Sequence, residues 1–164
     1  MHEFNSSTLV VQRLQENGTI EEEKLGGPYM MRSVSFYVAG VLYVFSCKNF
    51  YALNLDTEGA FARQLDVPIP TSGSLQQVAF TLGGLCYLVC QCLDSTGVQP
   101  RKSEMWVFDP EREGKGWTQL GIPVPNLCCD DLGLPVIGDR AYALSKGRYV
   151  SFNKADGWRG SGGV

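Results

Sequence analysis

The sequence predicts an all-β protein built from repeated four-stranded antiparallel units, and three observations carry this prediction. Nineteen of the 164 residues are glycine, and they separate many short apolar runs, as turns separate strands. Apolar residues make up 44% of the chain and charged residues 19%, a balance typical of a folded domain with a buried core. A segment that ends in two prolines one residue apart occurs twice, which indicates an internal repeat.

Residues 1–28 are expected to form the outer half of a preceding unit. An apolar run leads into Asn17-Gly18, a dipeptide that favours a tight turn, and the segment closes on the run LGGP. Only the second half of a unit is recognisable in this part of the sequence.

We predict residues 29–70 to be a complete unit. A turn at Gly40 joins two apolar runs, and the second run carries Tyr43. The later half, Phe50–Pro70, alternates apolar side chains into Asp56, passes a glycine-bearing turn and ends on LDVPIP.

Residues 71–125 are predicted to be a second complete unit with the same order of features. The Gly83-Gly84 turn precedes Tyr87, and the tail LGIPVP repeats the earlier proline tail 55 residues later. In this interpretation residues 91–103 form a long loop between the second and third strands.

Residues 126–164 are predicted to be a partial, C-terminally truncated unit. A turn at Gly138 precedes Tyr142, which stands 17 residues after the last proline of the preceding unit, and Tyr87 has the same spacing. The sequence stops six residues after Trp158, inside the unit. The tyrosine of each second strand is expected to pack between sheets with its hydroxyl bonded to a partner.

The third strand of each unit is expected to end in an acidic or amide residue. We match Asp56, Asp109 and Asn153 in this role, because apolar residues alternate before each of them. Alternation of this kind lets a strand bury side chains against a neighbouring sheet. Trp117 and Trp158 follow the turn and are expected to anchor the fourth strands by packing.

These features together resemble the repeats of kelch-type β-propellers. The third strand that ends in an acid and the tryptophan of the fourth strand both occur in MWVFDPEREGKGWTQL, residues 105–120. The resemblance begins near Val34 and is divergent, because residues other than Gly-Gly follow each second strand. It implies kelch-like antiparallel four-stranded blades in an incomplete β-propeller of about three blade-equivalents, whereas a closed ring has roughly four to eight. The open edges of the terminal blades are expected to favour self-association.

No catalytic, cofactor or metal site is predicted. The only histidine is His2, and zinc sites use paired cysteine or histidine ligands at spacings that this chain lacks. Cys86, Cys90 and Cys92 are evenly spaced and are expected to lie on one strand face as small buried apolar groups. The other cysteines, to which no role is assigned, are Cys47, Cys128 and Cys129.

The net charge of −3 and the pI near 5.1 argue against nucleic acid or an anionic membrane as a partner. The sequence contains no apolar run of membrane-spanning length. Its N-terminus lacks the basic and apolar regions of a secretory signal, so a cytoplasmic or nuclear location is expected.

Basic residues cluster on the segments that join the second strand of each unit to the third. They are Lys48, Arg101, Lys102, Lys146 and Arg148. These segments would project from one rim of a propeller, where the basic residues would form a docking surface for an acidic protein partner. The alternative is that they are solvated loop tips without a function.

The resemblance implies a non-catalytic segment that mediates protein–protein interaction, with substrate recognition in a ubiquitin-ligase-type complex as the more specific expectation. Two alternatives stay open. The chain would be a fragment of a sugar-acting propeller enzyme if histidine, arginine and carboxylate groups converged at a central channel. It would otherwise be a truncated product without an independent function.

Overall fold

The structure is a computed structural model, and it describes residues 7–14, 20–29, 34–45, 50–57, 63–67, 70, 75–93, 100–127 and 134–160. For residues 7–14, 20–29, 75–76, 92–93 and 100–102 the description covers the backbone. No helix within these ranges is long and apolar enough to cross a membrane.

Four antiparallel sheets follow one another along the described chain. Sheet 1 is the hairpin of β1 (Ser7–Leu14) and β2 (Ile20–Tyr29). Sheet 2 contains β3 (Val34–Val38), β4 (Val41–Phe45), β5 (Phe50–Asn54) and β6 (Arg63–Gln64). Sheet 3 contains β7 (Leu75–Leu82), β8 (Leu85–Leu93), β9 (Pro100–Phe108) and β10 (Trp117–Leu120). Sheet 4 contains β11 (Val136–Ile137), β12 (Arg140–Ser145), β13 (Arg148–Asn153) and β14 (Gly157–Gly160).

Sheets 2, 3 and 4 are meanders in which each strand pairs with the next one along the chain. The predicted fold class is confirmed, since the chain forms three antiparallel four-stranded sheets that resemble consecutive blades of an incomplete propeller. The fourth strand of sheet 4, Gly157–Gly160, pairs with β13. The expectation that residues 126–164 are a truncated unit stays a prediction.

Strands β8 and β9 extend into the segment 91–103, which the sequence analysis expects as a loop. The second strand of sheet 3 continues to Leu93 and the third begins at Pro100, so their ladder extends into both ends of the segment. The residues between them, 94–99, lie outside the described part of the chain. The sequence pattern did not predict these parts of the strands, because polar residues interrupt the alternation of apolar residues there. Backbone pairing between strands can still form at such residues.

The strand register corrects the match between the units. Each second-strand tyrosine pairs with a residue that stands two positions before an Asx residue. The pairs are Tyr43 with Ala52, Tyr87 with Val107, and Tyr142 with Ser151. Asn54, rather than Asp56, therefore corresponds to Asp109 and Asn153. Each of the three accepts a backbone N–H with its side chain just after the strand, at 2.7 to 3.0 Å.

The first interface, between sheets 2 and 3, is an aromatic core. Phe50 lies edge-on to Phe108 with ring centroids 5.0 Å apart, and Trp117 packs against both at 5.6 and 5.4 Å. Cys86 and Cys90 are buried in this interface, as the sequence predicts for one strand face. The side chain of Cys92 and all of Cys47, Cys128 and Cys129 lie outside the described residues.

The second interface, between sheets 3 and 4, uses the opposite face of sheet 3. Tyr87 alternates with the Cys86 side chain along β8 and packs against Phe152 of β13 at 5.3 Å. Phe152 in turn contacts Trp158 at 5.4 Å, which agrees with the predicted anchoring role of that tryptophan. Sheet 3 is thus covered on both faces, by sheet 2 on one side and by sheet 4 on the other.

Tyr142 does not follow the prediction that each second-strand tyrosine packs between two sheets. Ala141 and Ala143 are the β12 residues that face sheet 3, so Tyr142 points to the other face of sheet 4. It is only half-buried there, because no further described sheet packs on that face.

Candidate functional site

A cavity of about 550 Å³ opens in the second interface, at the end of sheets 3 and 4 that carries their β9–β10 and β13–β14 connections. We call it the open cleft. One wall is the start of β8 and the end of β9, together with β10, and the other is the end of β13 with the turn that follows it. In an antiparallel meander, the first and third connections of a sheet lie at the same end, so both sheets contribute turns to this rim.

The floor of the open cleft is apolar because the alternation of β8, β9 and β10 points large side chains toward sheet 4. The residues that form it are Leu85, Tyr87, Val107, Leu120, Ile122 and Phe152. Phe80 stacks on the Tyr87 ring from below the floor at 5.1 Å, with the ring planes 10° apart. This packing leaves the tyrosine ring little freedom to move.

The acidic groups at the rim are already engaged. The Asp156 carboxylate accepts hydrogen bonds from Arg159 at 2.8 Å, Asn153 at 3.3 Å and Arg140 at 3.5 Å. Asp109 accepts the backbone N–H of Glu111 at 3.0 Å, and its other oxygen lies 3.8 Å from Arg112 Nε. Both carboxylates at the rim are therefore already paired with arginines.

Two lysines at the same rim are exposed and uncompensated. Lys115 follows β9 in the 3₁₀ helix Pro110–Lys115, and Lys154 follows β13. Neither forms an ion pair or a hydrogen bond with any residue in the described ranges. The rim thus carries net positive charge above an apolar floor.

The Tyr87 hydroxyl is the one polar group of the apolar floor within the described chain. The residue is only 2% exposed, yet no described residue forms a hydrogen bond with this hydroxyl. Burial raises the pKa of Tyr87 above its ordinary value, so the group stays protonated and can donate.

The corresponding tyrosine of the first interface is satisfied. The Tyr43 hydroxyl donates to Glu113 Oε1 at 3.1 Å, and Arg63 donates to Glu113 Oε2 at 2.6 Å. Burial, followed by the hydrogen bond to Glu113, raises the pKa of Tyr43 well above its ordinary value. Glu113 belongs to the 3₁₀ helix, which sheet 3 inserts between its third and fourth strands.

The difference between the two interfaces arises from one connection. Seven residues separate Asp109 from Trp117, but only four separate Asn153 from Trp158. The β13–β14 connection is a tight turn closed by Asn153, and it carries no residue in the place of Glu113. The second interface therefore stays open where the first is filled.

The basic residues chosen from the sequence lie elsewhere. Lys146 and Arg148 are exposed at the β12–β13 turn, at the opposite end of sheet 4 from the open cleft. Arg101 and Lys102 belong to β9 rather than to a loop, and their side chains are outside the description, as is all of Lys48. Their role in docking stays a prediction.

Sequence reasoning did not identify Tyr87, Lys115 or Lys154 as a site. Tyr87 was expected to pack between sheets, and no role was predicted for Lys115 or Lys154. One signal was available in the sequence. The connection between the third and fourth strands is longer in residues 71–125 than in residues 126–164, so the later unit lacks a segment that the earlier one has.

The described residues include no histidine, and no three cysteine or acidic side chains among them come together as metal ligands. Burial, with a smaller contribution from Asp109, raises the pKa of the Cys86 thiol far above its ordinary value, which disfavours the reactive thiolate.

No family model matches the sequence, and neither a curated protein nor a solved structure matches it.

Proposed function

We propose that this protein is a non-catalytic interaction module that binds a segment of a partner protein in the open cleft. The observation that carries the proposal is the cleft itself, which has an apolar floor, a tyrosine hydroxyl without a described partner and uncompensated cations at its rim. Its volume of about 550 Å³ lies within the range of roughly 300–1,000 Å³ usual for ligand sites.

A protein segment suits this cleft better than a reacting substrate does. The described lining holds no serine, cysteine or histidine for acyl transfer, and its two carboxylates, Asp109 and Asp156, are paired with neighbouring arginines. Aromatic and aliphatic groups surrounded by charges are instead the usual anatomy of an interface centre and its rim. The two walls belong to packed sheets, so the site needs little ordering on binding.

The resemblance to kelch-type propellers supports the same class of function. Recruitment of a substrate to a ubiquitin-ligase-type complex, in the cytoplasm or nucleus, is the more specific role that the resemblance suggests. The predicted basic docking surface at Lys48, Arg101, Lys102, Lys146 and Arg148 belongs to the same proposal as a second contact region.

Selection of binding peptides from a random-sequence display library on the full chain tests the proposal, with blocked variants as controls. Thr118 is exposed on β10 and lines the cleft, whereas its neighbour Gln119 is exposed and points away from it. We expect Thr118→Trp to fill the cleft and weaken selected peptides at least about 10-fold by titration calorimetry, while Gln119→Trp leaves affinity unchanged. Equal effects of the two changes, or no peptide enriched over the blocked variant, would refute binding in the cleft.

A further inference from the structure

We propose that the open cleft receives a carboxylate side chain, Glu or Asp, of the partner segment, and that the Tyr87 hydroxyl binds it as the Tyr43 hydroxyl binds Glu113. This inference rests on the proposed function and specifies the chemistry of the ligand. It follows from a comparison of the two interfaces within the same molecule.

The two tyrosines share two aromatic contacts of the same kind, and Tyr43 also stacks on Phe50 at 5.7 Å. Phe36 stacks on Tyr43 at 5.5 Å, and Phe80 stacks on Tyr87 at 5.1 Å, each from the paired position of the preceding strand. The next sheet then contributes one ring edge-on, with Phe108 at 5.4 Å and 65° to the first tyrosine and Phe152 at 5.3 Å and 62° to the second. The two sites therefore aim equivalent hydroxyls at equivalent positions.

In the first interface the chain supplies the carboxylate that this geometry accommodates. Glu113 reaches back from the 3₁₀ helix and uses one oxygen for Tyr43 and the other for Arg63. A cation and a phenol hydroxyl thus hold one carboxylate between them. Charge-assisted hydrogen bonds of this kind are stronger than neutral ones.

In the second interface no described group can take the place of Glu113. Asp156 lines the cleft, but Arg140, Asn153 and Arg159 occupy its oxygens. The Tyr87 hydroxyl consequently has no acceptor among the described residues, and a ligand in the cleft can supply one.

The rim favours an anionic acceptor over a neutral one. Lys115 and Lys154 flank the cleft from its two sides, in the role that Arg63 has beside Tyr43. An acidic side chain would place its charge between these cations and the hydroxyl, while apolar neighbours in the same segment would cover Leu85, Val107 and Ile122. The ligand class is therefore an extended peptide with an acid next to apolar residues.

The test uses peptides selected on the full chain, each paired with a synthetic copy in which its acid is changed to the amide. We expect Glu or Asp to be enriched at one position and Glu→Gln in the peptide to weaken binding. Tyr87→Phe should weaken the acidic peptide about 10-fold or more, because it removes a hydrogen bond to a charged group. It should weaken the amide copy by a clearly smaller factor.

Lys115→Met with Lys154→Met provides a second arm, since it should reduce affinity for the acidic peptide and flatten its dependence on salt. Selected peptides that lack acids, or a Tyr87→Phe change that affects acid and amide copies equally, would overturn the inference. If such peptides are still lost on Thr118→Trp, the proposed function stands and only the carboxylate is wrong. Absence of any peptide that senses Thr118→Trp overturns both.

Discussion

At the scale of single residues, the tyrosine of the second strand differs between the two interfaces in whether its hydroxyl has a hydrogen-bond partner. Tyr43 is part of a completed set in which Glu113 and Arg63 satisfy one another. Tyr87 has equivalent aromatic neighbours but a hydroxyl that no described residue binds. The hydroxyl of the first therefore stabilises the fold, and that of the second is available to a ligand.

Removal of the two hydroxyls should reveal this difference in the free energy of unfolding. Tyr43→Phe loses a hydrogen bond to a charged group and leaves Glu113 with one partner fewer, so we expect a loss of about 1–2 kcal/mol. Tyr87→Phe removes an unsatisfied donor and should change stability by less than about 0.5 kcal/mol in either direction.

Urea unfolding followed by fluorescence measures both variants, and unchanged m values would show that the comparison is valid. Equal destabilisation by the two changes would contradict the assignment of Tyr87 as the unpaired member.

At the scale of elements, tight hairpin turns and the length of one connection determine the site. The β3–β4 and β7–β8 turns each contain two residues with positive φ, Ala39-Gly40 at 48° and 81° and Gly83-Gly84 at 58° and 75°. Such turns match the twist of the paired strands. These turns fix the pairing of the first two strands in sheets 2 and 3. The connection between the third and fourth strands is long in sheet 3, where it fills the first interface, and short in sheet 4, where it leaves the second interface open.

The turn glycines make a matched pair for a stability measurement. Both have positive φ, but a Cβ at Gly40 would collide with the Asp56 carboxylate, whereas a Cβ at Gly84 meets nothing within 4 Å. Gly84→Ala should cost about 1–2 kcal/mol from backbone strain alone. Gly40→Ala should cost more, because Asp56 must also move, and equal losses in thermal unfolding would show that the close approach is unimportant.

At the scale of the whole molecule, the stack of sheets leaves one face of sheet 4 uncovered within the described chain. Leu144 and Tyr149 are 44% and 66% exposed on that face. Val89 and Met105, their counterparts in sheet 3, are both fully buried under sheet 4. The outer face of sheet 4 therefore has the composition of an interface.

We expect a second copy of the chain to cover this face, as the open terminal blades predict. Sedimentation at increasing concentration should show reversible association that Leu144→Glu weakens, because the change adds a charge to the apolar patch. Lys146→Glu at the adjacent turn is the control, since it also adds a carboxylate outside the patch. A chain that stays monomeric, or that dissociates equally with both changes, would exclude association through this face.

Much of the fold could be predicted from local pattern. Glycine turns and alternating apolar residues specify strand pairs over short distances, so the three antiparallel sheets and the buried face of Cys86 and Cys90 were predictable. The register of the strands was harder to predict, because Asn54 and Asp56 both suit the end of a strand. Only the pairing of Tyr43 with Ala52 shows that Asn54 is the residue that matches Asp109 and Asn153. The fourth strand of sheet 4, Gly157–Gly160, contains Trp158, which the sequence analysis assigns to such a strand.

Local sequence patterns were enough to predict a series of four-stranded sheets with a tyrosine in each second strand. They could not show which tyrosine hydroxyl has a partner. That partner comes from the next sheet, so its presence depends on how far a distant connection reaches across an interface. Glu113 reaches Tyr43 across 70 positions of sequence, and the shorter turn at Lys154 leaves Tyr87 facing an open cleft.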